Sequence, residues 1–236
     1  MGPRLYTPEL LDQVDQEPAE LTASLRQVAQ VNRLFGGARA LRLHLRSFLG
    51  VPARLLDVGT GNGETAGDIA AWAAAHGSEW LVTGLDLHED VVRVARDESP
   101  RLPHAPHLVR GDALRLPFRD RAFDAVCCTL TLHHFGDDEA VALVAEMARV
   151  ASGLVLVNDL ERHALNYASA RVLAWTLWRG NRLTRNDGPL SVLRSFTAEE
   201  LLEVGERAGL GGLRVRRHFP WRLVMVGRPG GPGAQG

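Results

Sequence analysis

The sequence predicts an α/β fold built on an open, doubly wound, mostly parallel sheet, and three observations carry that expectation. Short apolar strands alternate with helix-forming stretches from Ala53 to Asn158, the rhythm of βαβ units with right-handed crossovers. The segment Phe123–Cys128 is apolar with little alternation, as in a parallel strand buried on both faces. The strand Ala53–Val58 runs into Gly59-Thr60-Gly61-Asn62-Gly63, a glycine-rich turn that opens a helix.

Each element has its own signal. From Glu9 to about Leu49, apolar residues recur at helical spacing (Leu10, Leu11, Val14, Leu21, Leu25, Val28, Val31, Leu34). Gly36-Gly37 interrupts them before Ala40, Leu41, Leu43, Leu45 and Phe48, so two or three helices are expected ahead of the sheet. After the first strand comes an alanine-rich helix, Gly63 to His76, then a strand Leu81–Asp86 and a helix Glu89–Asp97. His107–Arg110 is a short third strand, Phe123–Cys128 the fourth, Glu139–Val150 a helix and Gly153–Asn158 the fifth strand. A helix His163–Trp178 follows, then a polar loop Arg179 to Ser191 whose turn signal is Asn186-Asp187-Gly188-Pro189. Thr197 and Glu200 form a capping box. Leu213–Phe219 and Trp221–Val226 read as an antiparallel pair, making seven strands, and the glycine- and proline-rich end is expected to be disordered. The chain thus divides into an N-terminal helical lid (1–49), a sheet domain (50–227) with a lid insertion at about 160–196, and a tail (228–236).

Composition narrows the function classes. With 236 residues and 45% hydrophobic content the chain can bury one sizeable α/β core. Twenty-seven basic against 28 acidic residues, a net charge of −1, argues against a general nucleic-acid or membrane-surface binder. The two cysteines, Cys127 and Cys128, are adjacent in an apolar run, where neither a disulfide framework nor a metal site is indicated. The N-terminus carries prolines and charges without an apolar core, and no apolar run approaches a membrane span. A cytoplasmic protein without stable membrane insertion, monomeric or homodimeric, is the expectation.

In open α/β sheets the ligand sits beyond the carboxyl ends of the strands, where strand order reverses. There the sequence places the Gly59–Gly63 turn, with Asp57 two residues before it, and Asp86-Leu87 after the second strand. It places Gly111-Asp112-Ala113 after the third strand. A carboxylate at position 86 can accept hydrogen bonds from both ribose hydroxyls, and Leu87 can pack on a purine face. This set of motifs resembles those of the class I S-adenosylmethionine-dependent methyltransferases, over about 55–158. The resemblance implies a Rossmann-like methyltransferase fold with S-adenosyl-L-methionine as cofactor and S-adenosyl-L-homocysteine as product. It implies that Asp57, Gly59, Thr60, Gly61 and Gly63 hold the methionine end, Asp86 and Leu87 the ribose and purine, and Asp112 with Ala113 the adenine. Thr129 would lie near the methionine portion. A nicotinamide or flavin dinucleotide site is the competitor. Its G-x-G-x-x-G spacing meets Glu64 in one register and Ala66 in the other, and alanine is tolerated there.

Methyl transfer from a sulfonium is an in-line displacement that needs alignment and dryness rather than a metal, so no metal is expected. A hydroxyl acceptor also needs a base. The segment Leu130-Thr131-Leu132-His133-His134-Phe135 resembles an LHH-containing motif of small-molecule methyltransferases. Adjacent side chains diverge, so at most one of His133 and His134 is expected to face the acceptor, and both could be structural. Asp159 could orient a histidine, act as base, or cap the helix expected to begin near Leu160. Arg162 could bind an anionic acceptor or be a solvated helix residue. The segment Asp187–Phe196 resembles a lid element of bacterial methyltransferases related to those of quinone and polyketide modification. With Trp175, Trp178 and the N-terminal helices it could roof a lipophilic pocket, although each tryptophan alone reads as packing. The expected function is O-methylation of a small, lipophilic, hydroxylated acceptor, phenolic or polyketide-like. The alternatives are a quinone-pathway type C-methyltransferase, a NAD-binding oxidoreductase, or a non-catalytic cofactor-binding partner protein.

Overall fold

The computed structural model describes residues 1–13 and 16–230; Val14 and the tail from Gly231 lie outside that range. Its strands are β1 (Ala53–Val58), β2 (Trp80–Asp86), β3 (His107–Arg110), β4 (Phe123–Thr129), β5 (Ala151–Leu160), β6 (Gly211–His218) and β7 (Arg222–Arg228). They form one sheet in the order β3-β2-β1-β4-β5-β7-β6. The first five strands are parallel, whereas β7 runs antiparallel between β5 and β6. Chain order reverses between β1 and β4, which opens a crevice between the loops that leave them.

Consecutive residues on the central strands point to opposite faces, and both faces are covered. Leu56, Val126, Cys128 and Val157 pack with Leu143, Val144 and Met147 of α5 (Asp137–Val150). Leu55, Ala125, Cys127 and Leu156 pack with Ile69 of α3 (Glu64–Ala75) and with Leu41 and Leu45. That double burial is why these strands read as apolar runs. The adjacent cysteines are simply small buried residues, one on each face.

The N-terminal region divides differently from the sequence expectation. Helix α1 (Pro18–Leu34) starts well after Glu9, because Glu17 caps it and Pro18 occupies its first turn. Helix α2 (Gly37–Leu45) is part of the sheet core rather than a lid: Leu41 and Leu45 are 0% exposed. The side chain of the buried strand residue Asn158 donates to Gly37 O at 3.1 Å, locking α2 to β5.

The connection from β5 to β6 carries the largest correction. The expected loop at 179–191 is mostly helix, α7 (Arg182–Arg194), with Pro189 inside it. Local turn chemistry loses to packing here. Gly188 lies so close to the ring of Trp178 that a Cβ would sit 2.4 Å from it, and Asp187 accepts from the Leu10 and Leu11 amides at 2.9 Å. Helix α7 packs on α6 (Ala164–Trp175) and α1; Ser24 and Thr184 hydroxyls meet at 2.8 Å, and Asn181 donates to Glu20 O. All three helices contribute lining residues to one cavity, among them Leu25, Leu173 and Gly188.

Helix α4 (Glu89–Glu98) follows β2. Thr197 caps α8 (Ala198–Arg207) in the expected box with Glu200. Strand β7 continues through Gly227 and Arg228, beyond the expected start of the tail, because Gly227 and Arg228 still pair with Val155 and Gly211. Among the described residues no helix is long and apolar enough to cross a membrane.

Candidate active site

The first end of the site is the glycine turn. Gly59, Gly61 and Gly63 all adopt positive φ, at 69°, 57° and 78°, conformations that L side chains resist. At Gly59 a Cβ would lie 2.4 Å from the Thr131 side chain, so the β1 and β4 loops can meet only without one. At Gly61 a Cβ would point into open space, touching only Leu25 at 4.0 Å, and the turn therefore leaves a cradle. Asp86 fastens that cradle: its carboxylate accepts from Gly61 N at 3.1 Å and His88 N at 3.2 Å. Burial pushes the Asp86 carboxyl above its ordinary pKa, and those two amides partly counter it.

Gly59, Thr60, Gly61, Asp86, Leu87, Ala113 and Thr129 all line one cavity of about 580 Å³. Thr129 ends β4 rather than following it, and among the described residues its buried hydroxyl has no partner, as a ligand-facing group would. Three expected residues stand back from the cavity lining. Asp57 is buried under the turn, where it accepts from the Thr60 hydroxyl at 2.9 Å and from Cys127 Sγ at 3.6 Å. Burial raises its carboxyl to about 6, against those two hydrogen bonds. Gly63 caps α3, and the exposed Asp112 accepts from Leu114 N at 2.9 Å in its own loop.

At the other end His133 and His134 sit in one turn of 3₁₀ helix, Leu132–His134. The tight turn does what an extended segment could not: both rings face the cavity, with centroids 4.4 Å apart. The expectation that only one of them could do so is corrected. Asp159 is on β5, 1% exposed, and not a helix cap, because the next helix begins at Ala164 with His163 as its cap. Its carboxylate accepts from His133 Nδ1 at 2.7 Å, from His133 N at 3.1 Å and from Leu160 N at 2.7 Å. Burial opposes the carboxylate, but His133 and the amides prevail and hold Asp159 below the usual range. With Nδ1 engaged by Asp159, Nε2 is the ring nitrogen of His133 left for another partner.

Glu9 and Asp12, which no motif in the sequence singles out, complete the histidine cluster. His133 Nε2 lies 3.6 Å from Glu9, His134 Nε2 3.9 Å from Glu9, and His134 Nδ1 2.8 Å from Asp12. Burial disfavours a charged His134 ring, yet Glu9 and Asp12 outweigh it and raise its pKa to about 9. His134 is therefore a cation at neutral pH. Glu9, His133 and His134 bring ligand-type atoms within 4.8 Å of one another; a protonated His134 balances the Glu9 charge in the same space.

Buried Arg194 holds the N-terminal segment over the histidines, donating to His133 O, His134 O and Thr7 O. Arg162 is neither solvated nor in the cavity; it ties Ser195 O, Gly2 O and Glu200 together. Of the two tryptophans, Trp178 lines the cavity, while Trp175 is 75% exposed and packs on nothing in the core. Between the two ends the cavity wall is apolar, with Leu25, Val28, Leu173, Val192 and Trp221 among its residues.

Residues 55–153 match the protein family described as "Methyltransferase domain". That match spans 99 of the 236 residues and makes this part of the chain similar to a methyltransferase domain. It is 36% identical over 117 residues to a demethylmenaquinone methyltransferase of Roseiflexus sp. (strain RS-1), covering 48% of this chain and 45% of that protein. It is also 36% identical over 108 residues to the 27-O-demethylrifamycin SV methyltransferase of Amycolatopsis mediterranei (strain S699), covering 45% and 38%. The chain thus spans under half the length of these curated relatives. Among solved structures, human N-acetylserotonin methyltransferase in complex with SAM superposes with a TM-score of 0.67 at 15% identity, over 91% of this chain and 57% of that one. A SAM-dependent methyltransferase from Aquifex aeolicus gives 0.60 at 17% identity, over 90% and 98%. At such identities the structures establish the shared fold. The matched segment includes the glycine turn, a similarity that speaks for the methyltransferase reading of that turn over the dinucleotide one.

Proposed function

We propose that this protein is a methyltransferase that transfers the methyl group of S-adenosylmethionine to a hydroxyl of a small, lipophilic, phenolic or polyketide-like acceptor. One observation carries the reading: one largely apolar cavity is lined both by the Gly59–Gly61 cradle with Asp86 and by His133, which Asp159 holds from behind. When bound, the cofactor supplies a methyl group on a cationic sulfur. Asp86 would accept from its ribose hydroxyls, Leu87 and Ala113 would pack on its base, and Thr129 would face its methionine arm. Asp57 supports the turn from beneath.

His133 is the base in this reading. Its Nε2 takes the acceptor's proton as the hydroxyl oxygen becomes nucleophilic, and Asp159 stabilises the imidazolium that forms. Asp159 is accordingly a positioning residue. His134, already protonated, is unsuited to that step and instead holds the Glu9 and Asp12 side chains in place. The α1–α6–α7 roof keeps water from the reacting atoms. The same reading keeps the chain in the cytoplasm, as a monomer or homodimer, with a small molecule rather than nucleic acid as partner.

The names of the relatives favour one second reading. Demethylmenaquinone methyltransferases appear among them beside the rifamycin enzyme, so methylation could fall on a ring carbon next to a hydroxyl that His133 deprotonates. The test is a panel of hydroxynaphthoquinols and polyketide phenols incubated with methyl-labelled S-adenosylmethionine. A methoxy product supports O-transfer and a C-methyl product the second reading. No transfer to any small acceptor, with transfer to protein or nucleic acid instead, would refute both.

A further inference from the structure

Arg222 is the most anomalous side chain in the molecule. It begins β7, pairs with Leu160 at the end of β5, lines the cavity and is 2% exposed. Among the described residues its buried Nε and Nη1 have no hydrogen-bond partner, and no carboxylate forms an ion pair with it within 4 Å. The other buried arginines of this region are fully employed: Arg4, Arg162 and Arg194 each hold backbone carbonyls and a carboxylate. An unpaired buried guanidinium is costly, and a fold that retains one beside a cavity is poised for a ligand that supplies the missing acceptor atoms. The nearby carboxylate that attracts it, Asp159, has its oxygens occupied by His133 and Leu160.

Its place in the sheet says which ligand. From β1 to β7 the order is β1-β4-β5-β7, three strand spacings or about 14 Å. Arg222 is therefore remote from the cofactor cradle that follows β1 and lies on the β5 side, where His133 and Asp159 stand. Trp221, Leu173 and Trp178 give that side an apolar, aromatic wall.

We propose that Arg222 is an acceptor-binding residue and that the acceptor is a planar, lipophilic molecule carrying an anionic oxygen, a carboxylate or an acidic phenolate or enolate. The guanidinium fork takes that oxygen through Nε and Nη1, and this fixes which hydroxyl is turned toward His133. The assignment of the acceptor end rests on the function proposed above; the binding itself does not.

The experiment therefore reads binding without catalysis. The full chain is titrated calorimetrically, with no nucleoside present, with 2-hydroxynaphthoate and with its neutral isostere 2-hydroxynaphthalene-methanol, and the melting temperature of each mixture is recorded. The carboxylate is expected to bind about ten- to a hundredfold more tightly than the alcohol, the worth of a charge-assisted hydrogen bond. Arg222→Met is expected to erase that preference and Arg222→Lys to restore part of it. Without ligand, Arg222→Met is expected to melt higher than wild type, because it removes an uncompensated buried charge of similar volume. Equal binding of the two probes, failure of both to bind, or a lower melting temperature for Arg222→Met would overturn the proposal. Nucleoside binding by the same samples reports separately on the methyltransferase reading.

Discussion

Replacing Asp159 by asparagine changes one oxygen into an amide in a pocket that supplies three N–H donors and no acceptor. Oδ1 receives His133 Nδ1 and Leu160 N, both at 2.7 Å, and Oδ2 receives His133 N at 3.1 Å. Whichever way the new side chain turns, its NH₂ meets an N–H, so at least one bond is lost. The larger effect is electrostatic. An imidazolium and a carboxylate about 4 Å apart in a partly shielded site attract by about 4 kcal/mol, and this attraction grows only as His133 takes the acceptor's proton. Converted at 1.36 kcal/mol per decade, that is a fall in turnover of up to about a thousandfold. The assay is single-turnover methyl transfer, with nucleoside affinity measured in parallel. Cofactor binding should hold, since Asp159 does not line the cavity. Undiminished turnover, or a loss found entirely in cofactor affinity, would remove Asp159 and His133 from the chemistry.

Asp86→Ala frees the amides of Gly61 and His88 and removes the ribose acceptor; nucleoside affinity should fall by about ten- to a hundredfold, and calorimetry checks it. Leu41→Ala should lower unfolding free energy by about 2–5 kcal/mol, seen in denaturant melts, because α2 belongs to the core; a change within error would return α2 to the lid. His134, with its pKa raised to about 9, contributes stability that is complete below about pH 6.5 and lost as pH rises through 9. The linkage is worth up to about 3 kcal/mol, and His134→Gln should flatten it in melts taken across that window.

The parts of this molecule that local pattern controls were legible in its sequence. Strands β1, β2, β4 and β5 announced themselves because both faces are buried, and the Thr197–Glu200 box because capping needs only neighbours. The glycine turn was legible because its backbone conformation excludes other residues. What the sequence hid depends on contacts far along the chain. Helix α7 survives Asp187-Gly188-Pro189 through Trp178 and the Leu10 and Leu11 amides. Glu9 and Asp12 join the site across more than 120 positions, carried there by an N-terminal segment with no regular structure. Arg222 looked like any strand arginine among Arg214, Arg216 and Arg217; only the sheet order reveals that it alone is buried and unpaired.

The central claim is that the Gly59–Gly61 cradle and Asp86 bind a sulfonium nucleoside. Parallel calorimetric titration of the full chain with S-adenosylmethionine, S-adenosylhomocysteine and NAD⁺ tests it most directly. Saturable micromolar binding of both sulfur nucleosides, with none of NAD⁺, is the expected result; binding of NAD⁺ alone, or of none of the three, would contradict it.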